Sequence, residues 1–378
     1  MKTILYSAMP MDNGKSGISN YIFNTLDELL KENKVSVMVL GKDLHLLAKR
    51  FPSADYIIVP DRYSKPLQNM LWHLFIMPFS TDFSRFDFLF IPAANRRIIC
   101  RCPIFSIGTV HDFSQLHVKA KYDLFRMFYI KKLIPFFLHK FDSIVSVSES
   151  TKKDLLGYCG IPADKVKVLY NGYDRRLYND TFTPDTGRIR GKLGIKGKYI
   201  LYISRIEHPG KNHLNLMKAY EMLPPGLQDE YNLVLAGSNW SGAEKVLEYA
   251  GKSPVKDRII FTGFVEYGDL PQLYRCASLY AFPSFFEGFG IPLVEAMACG
   301  IPCVCSNCSS LAEIAEGAAL TFDPHRPEDI AEKMQTVLES GSLASELSRK
   351  GLGRVSAFSW EKHVKGIMDI YDSRTKKK

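Results

Sequence analysis

Two carboxylates, Glu287 and Glu295, stand with seven residues between them in the run Pro283-Ser284-Phe285-Phe286-Glu287-Gly288-Phe289-Gly290-Ile291-Pro292-Leu293-Val294-Glu295-Ala296-Met297-Ala298-Cys299-Gly300. Pro292 suits the first turn of a helix, where its missing N–H costs nothing. Gly288 and Gly290 let the preceding backbone bend close to a ligand. Backbone N–H groups at such a helix start favour an anion such as a diphosphate. The spacing puts Glu287 in the loop and Glu295 one turn into the helix. Carboxylates beside an anion site are poor phosphate ligands but good acceptors for sugar hydroxyls. The pattern points to a nucleotide-sugar site.

The elements that must position this site are legible in the rest of the chain. Its 378 residues suffice for two domains, and 46% hydrophobic with 24% charged content is that of a soluble globular protein. No apolar run approaches the ~18 residues of a membrane span. Met1-Lys2-Thr3-Ile4-Leu5-Tyr6 reads as a buried first strand, not a signal peptide, so the expected location is cytoplasmic.

Eight cysteines in such a chain imply thiols, not disulfides. Cys299, Cys303, Cys305 and Cys308 lack the paired knuckles of a zinc site. They read as buried free thiols, as do Cys100 and Cys102.

Short apolar runs rich in strand formers alternate with amphipathic stretches. Strands are expected near 3–7, 35–40, 56–59, 86–92, 104–110, 144–147 and 166–170, then near 199–204, 232–236, 259–262, 279–282, 302–305 and 320–322. Many are continuous apolar runs, as parallel strands covered on both faces require. Helical patterns such as 18–31, 214–222 and 327–338 lie between them. The expected fold is α/β, with two doubly wound Rossmann-like domains. Turn signals place the boundary in residues 171–198. A dinucleotide dehydrogenase is disfavoured, because Pro10–Gly17 carries only Gly14 and Gly17 and lacks the Gly-x-Gly-x-x-Gly fingerprint.

The net charge is +9. The whole excess lies in residues 1–190, while residues 191–378 are balanced. Partners of the first half are therefore expected to be anionic. His117–Lys140 interleaves six Lys and Arg residues with aromatic and aliphatic ones, and a second apolar stretch, Met70–Phe79, lies upstream. Two readings stand for the basic segment: docking at an anionic membrane interface, or a core helix with a solvated basic face.

The Glu-x7-Glu run resembles the signature of retaining glycosyltransferases of family 4, whose fold is of the GT-B type. Other stretches agree in order: Ser16-Gly17-Ile18-Ser19, Gly108-Thr109-Val110-His111-Asp112, Ser146-Val147-Ser148-Glu149-Ser150, Asn171-Gly172-Tyr173-Asp174, Arg205 to Lys211, and Phe358-Ser359-Trp360-Glu361. The likeness spans essentially the whole chain. It implies an N-terminal acceptor domain over 1–175, a nucleotide-sugar domain over 176–357, a central cleft between them, and a helix over 358–378 that returns to the first domain.

The same resemblance assigns roles. Glu287 would bind donor hexose hydroxyls, with the N–H groups of Phe289 and Gly290 aiding sugar and phosphate, and Gly288 and Ile291 belong to the same donor-binding set. Glu295 would accept the ribose hydroxyls. Arg205 and Lys211 would neutralise the diphosphate as the leaving group departs. Five residues separate these two cations, where the family often has four. His111 would lie near the transferred sugar, and Gly17 would let the first loop approach the donor phosphates. Gly237 and Phe264 would border the nucleobase. Asp112 and Ser309-Ser310 read as helix caps.

No Asp-x-Asp occurs in the sequence, so no metal and no cofactor are expected. The implied reaction is retaining hexosyl transfer, from a UDP-hexose or GDP-mannose to a hydroxyl of a growing, lipid-linked glycan in cell-surface polysaccharide synthesis. Docking would be peripheral, on the inner membrane face, with no nucleic acid involved. The alternative is a non-catalytic sugar-nucleotide or membrane-binding module of the same fold.

Overall fold

A computed structural model of the chain describes residues 1–11, 14, 16–117, 129–181 and 186–375. The chain divides into two compact units. Unit 1 comprises Met1–Gln115, Ala120–Gly172 and Ser359–Lys378; unit 2 comprises Tyr173–Phe358 with Leu116–Lys119.

Unit 1 holds seven strands: β1 (Thr3–Ser7), β2 (Lys34–Leu40), β3 (Asp55–Val59), β4 (Phe88–Ile91), β5 (Phe105–Val110), β6 (Ser143–Ser146) and β7 (Val166–Val168). All pair in parallel, in the order 3-2-1-4-5-6-7. Unit 2 repeats the plan with β8 (Lys198–Ile203), β9 (Tyr231–Ala236), β10 (Ile259–Gly263), β11 (Leu279–Phe282), β12 (Cys303–Ser306) and β13 (Leu320–Phe322). Its parallel order is 10-9-8-11-12-13. These are the expected doubly wound sheets. In each, the strand order reverses beside the first strand: between β1 and β4, and between β8 and β11. The crevice beyond the strand ends at such a point is where open α/β sheets bind ligands.

The local reasons for the elements are plain. Helix α1 (Gly17–Leu29) starts at Ser16, whose Oγ accepts from the Ser19 N–H at 3.2 Å. Ile18, Tyr21, Ile22, Leu26 and Leu29 bury one face of it, at helical spacing. The final helix, here α2 (Trp360–Thr375), covers the same core with Val364, Ile367, Ile370 and Tyr371.

A buried polar chain anchors this last helix. Tyr21 Oη lies 2.6 Å from His363 Nε2 and 2.9 Å from Thr109 Oγ1, and His363 Nδ1 lies 3.1 Å from the Tyr170 carbonyl. Burial holds His363 down at about 4, so its ring is neutral. It donates from Nδ1 and accepts the Tyr21 hydroxyl proton at Nε2. Gly172 is obligatory beside it, because a Cβ there would stand 2.2 Å from the Trp360 nitrogen.

The cysteines differ somewhat from expectation. Cys299, Cys303 and Cys305 are buried free thiols, whereas Cys100, Cys102 and Cys308 are free but only half-buried, outside the strands and helices: the first two in the irregular segment between β4 and β5, the last before the helix that follows β12. No helix among the described residues is long and apolar enough to cross a membrane. Residues 118–128, the middle of the basic aromatic segment, lie outside the described residues.

Candidate active site at the unit 2 switch point

The β8 and β11 strands are neighbours, so the loops leaving their C-terminal ends meet. The β8 loop carries Arg205 and Lys211; the β11 loop carries Glu287. Three contacts bind the loops together. Tyr202, the penultimate residue of β8, donates its hydroxyl to the Lys211 carbonyl at 2.9 Å and lies 3.0 Å from Ser284 Oγ. The Phe285 N–H donates to the Gly210 carbonyl at 3.1 Å. Asn212, left-handed at φ 58°, donates through Nδ2 to the carbonyls of Pro283 and Pro324 at 2.9 and 2.8 Å.

So fixed, Lys211 Nζ lies 2.6 Å from Glu287 Oε1, with both side chains largely buried. The two groups to which the sequence assigns separate jobs are ion-pair partners. Arg205 takes another course. It pairs with the buried Glu207 at 3.3 Å and lies over the Trp240 ring at 4.8 Å, with half its side chain exposed.

Downstream of Glu287 the backbone turns through Gly290 at φ 101° into helix α3 (Ile291–Ala298), with Pro292 in its first turn. A Cβ on Gly290 would lie 2.6 Å from Leu311 Cδ2. Leu311 belongs to helix α4 (Ser309–Ala315), which follows β12.

Ser309 and Ser310 were expected to cap that helix, and the geometry corrects this. Cys308 occupies the cap position without a side-chain hydrogen bond, and Ser309 is left-handed at φ 53°. Ser309 Oγ accepts the Glu287 N–H at 3.0 Å. The Ser310 hydroxyl faces the Glu287 and Phe289 carbonyls, each at 2.9 Å. The pair therefore clasps the Glu287 loop from the neighbouring strand's connection. A local reading favours a cap because Ser-Ser-x-x-Glu has that form, and the true partner lies over twenty residues upstream.

Glu295 faces inward. It is 7% exposed, and Tyr274 donates to its Oε2 at 3.1 Å. Burial raises its carboxyl to about 8 against the opposing pull of the Tyr274 hydroxyl. At the third strand end, the Gly237 N–H donates to the Gly263 carbonyl at 2.9 Å. Gly237 sits at φ 148°, and a Cβ there would stand 1.9 Å from the Ser204 carbonyl oxygen. Phe264 follows Gly263 and is 63% exposed. Gly288 and Ile291 flank the Glu287 turn, and Phe289 is buried edge-on against Phe358.

Two sequence candidates belong to unit 1. Gly17 opens α1 with nothing within 4 Å of where its Cβ would be, so no packing demands a glycine there. His111 follows β5, and its Nε2 lies 2.6 Å from the Pro92 carbonyl. Burial lowers its pKa to about 4. The ring is therefore neutral, donating from Nε2 and keeping a bare lone pair at Nδ1. Asp112 behaves as expected: its carboxylate accepts the Ser114 N–H at 3.0 Å at the start of the next helix.

Sequence reasoning missed Tyr202, Asn212 and Tyr274, and it gave Ser309 and Ser310 another role. Their only signal is a polar group at the end of an apolar strand or beside a turn.

The description "Glycosyltransferase Family 4" matches residues 15–177, and "Glycosyl transferases group 1" matches residues 185–354. The chain belongs to the group 1, family 4 glycosyltransferases. A serotype-specific mannosyltransferase WbdA of Escherichia coli is 34% identical to this family 4 chain over 262 residues, 68% of the chain but 32% of WbdA. The chain thus spans about a third of that relative's length. The O-antigen chain mannosyltransferase B of Escherichia coli is 29% identical over 272 residues, 70% of each protein. Among solved structures, Anabaena HepE in complex with UDP-glucose superposes with a TM-score of 0.75 at 18% identity, covering 99% of this chain and all of HepE. That likeness establishes the GT-B fold.

Proposed function

We propose that the chain is a retaining, metal-independent hexosyltransferase that uses a nucleotide diphosphate sugar to extend a glycan of the O-antigen or lipopolysaccharide type. The observation that carries the reading is the Lys211–Glu287 pair at the β8–β11 switch point, 2.6 Å apart beside the Gly288–Gly290 turn and the start of α3. A diphosphate arriving there competes for the Lys211 ammonium. It releases Glu287 to accept sugar hydroxyls, while the N–H groups of the turn face the phosphate. Glu295 would take the ribose hydroxyls and Arg205 the outer phosphate. The mannosyltransferase relatives and the UDP-glucose complex of HepE favour GDP-mannose or a UDP-hexose as donor.

In the reaction, the bond between the hexose anomeric carbon and the β-phosphate oxygen breaks. The acceptor oxygen bonds the same carbon from the same face, and the acceptor proton passes to a β-phosphate oxygen. Lys211 and Arg205 stabilise the charge that grows on the diphosphate. The neutral His111 offers a dipole rather than a second cation.

The acceptor is proposed to be lipid-linked, and the protein to dock peripherally on an anionic bilayer. Leu67, Leu71, Phe75 and Phe79 recur every fourth residue along the helical segment 66–80 of unit 1, and they are 63, 40, 56 and 71% exposed. Phe136 is also exposed, beside Lys131, Lys132 and Lys140. An apolar stripe with basic neighbours matches the interface of an anionic membrane. Anionic vesicles should retain the wild type at low salt and lose a Phe75→Ser/Phe79→Ser double variant. Equal retention of both would refute the docking.

The test of the catalytic reading is release of free nucleoside diphosphate from UDP-, GDP- and ADP-sugars in the presence of a chelator. Release is expected with one donor and should vanish in Glu287→Ala. No release from any of these donors, with or without acceptor glycans, would overturn the proposal.

A further inference from the structure

We propose that the β1–β4 switch point of unit 1 binds an oxyanion, a phosphate or carboxylate borne by the acceptor, through Arg97 with Arg96 at its rim. The inference deepens the reading of unit 1 as the acceptor domain and rests on it. The β1–β4 crevice stands in unit 1 where the β8–β11 crevice stands in unit 2, and its lining is polar in a way the fold alone does not need.

From β1, Ser7 Oγ lies 2.8 Å from His73 Nε2, and His73 Nδ1 lies 2.8 Å from the Asn69 carbonyl. The ring is fully buried and held down at about 3 by burial and by the Arg97 charge. It is therefore neutral and supplies no counter-charge. From β4, the chain turns at Ala93, whose carbonyl accepts the N–H groups of both Arg96 and Arg97 at 2.9 Å.

Arg97 is half-buried. Its Nη1 donates to the Arg96 carbonyl at 2.8 Å, and its buried Nε has no partner. Among the described residues, no carboxylate forms an ion pair with Arg97. Burial, aided by neighbouring Arg96, lowers the guanidinium to about 10. Asp112 feels Arg96 but is engaged with the Ser114 backbone.

A half-buried guanidinium with a partnerless Nε and no ion pair among the described residues is costly, and a ligand anion removes that cost. Two further groups point to a ligand rather than to packing. Asn69 Oδ1 and Asn95 Oδ1 are both buried without a hydrogen-bond partner, while their Nδ2 atoms donate to the Met9 and Asp112 carbonyls. Free amide oxygens around an anion site suit sugar hydroxyls. The same short loop carries Pro92, which orients His111. An anionic acceptor held by Arg97 would thus lie beside the histidine assigned to the transfer.

The experiment uses the full chain in a Lys211→Ala background, which removes the unit 2 cation that also attracts phosphate. Inorganic phosphate should raise the melting temperature of this parent, and Arg97→Gln should abolish the rise. A rise with glucuronate in place of phosphate assigns the group to a carboxylate. Without ligand, Arg97→Gln should melt no lower than the parent, since it removes an uncompensated charge; a structural arginine would do the opposite. Arg97→Lys should keep part of the response, and it serves if Arg97→Gln fails to fold.

On the otherwise wild-type chain, Arg97→Gln should raise the acceptor KM about 10- to 100-fold and leave donor hydrolysis unchanged. A phosphate response that persists in Arg97→Gln, or no response of the parent to either anion, overturns the inference. Donor hydrolysis reports on the proposed function separately, so the two can fail independently.

Discussion

Lys211 Nζ sits 2.6 Å from Glu287 Oε1, across loops that leave two adjacent parallel strands. At this distance, with both side chains largely buried, the cation and the carboxylate neutralise each other. Tyr202 and Asn212 hold the two loops, and with them both charges, in place.

Breaking this pair on one side leaves a largely buried charge alone. Glu287→Gln and Lys211→Met should each destabilise the chain, and a double-mutant cycle should give a coupling of about 1–2 kcal/mol, reduced from the fully buried value by residual exposure. Denaturant unfolding of the four proteins measures it. The same single changes should each lower donor turnover about 100-fold or more.

Glu295 should make stability fall as pH rises. Its folded carboxyl is raised to about 8 from the usual 4.5, so between these values the folded chain binds more protons than the unfolded one. The stabilisation is full below about 4.5 and lost as pH climbs through 8, with a slope of up to about 1.4 kcal/mol per pH unit. Glu295→Gln, which mimics the protonated acid, should flatten that limb in unfolding measured from pH 5 to 9.

The neutral histidines act on the other side. His111 and His363 are held at about 4, below the unfolded value of 6.5. Their contribution is complete above 6.5 and is lost as pH falls toward 4. His363→Gln should reduce the acid sensitivity of unfolding between pH 4 and 6.5 while lowering stability at pH 7 by about 1–2 kcal/mol, through the lost Tyr21 and Tyr170 contacts.

Ser310→Ala removes the hydroxyl that faces the Glu287 and Phe289 carbonyls. Stability should fall by about 1 kcal/mol. Donor KM should rise more than that of an exposed Ser342→Ala control, because the loop loses its clasp. Equal KM values in the two variants would assign Ser310 to packing alone.

Gly237→Ala should be among the most damaging small changes in unit 2. The new Cβ meets the Ser204 carbonyl at 1.9 Å, from a backbone that L residues rarely adopt. A loss of about 3 kcal/mol or more is expected in thermal or denaturant unfolding.

Strands were legible because burial on both faces writes itself as unbroken apolar runs. Residues 37–40 and Leu279–Phe282 show this plainly. The Glu287–Gly290 turn was legible because Gly290 and Pro292 state their backbone demands locally. Asp112 was read correctly as a cap because its partner is two residues away.

The rest depended on distance along the chain. Ser309 and Ser310 present a cap-like local pattern, yet their partners arrive from the preceding strand's loop. The pairing of Lys211 with Glu287 instead of with Arg205's ligands depends on Tyr202 and Asn212 fastening two loops. Arg97 carries no distinguishing signal in the sequence; its buried, partnerless Nε and the absence of an ion pair to it among the described residues mark it out.

The last helix has a consequence for how the chain is made. The sheet of unit 1 is complete in sequence by Val168, but Trp360–Thr375 supplies part of its apolar cover. All of Tyr173–Phe358 must leave the ribosome in between. The nascent first unit therefore waits with one flank uncovered while the second unit is synthesised and folds as its own body. Chains halted after Phe358 should bind an apolar-surface dye strongly and should be cut by protease in α1 and β2. Supplying residues 359–378 as a peptide should suppress both.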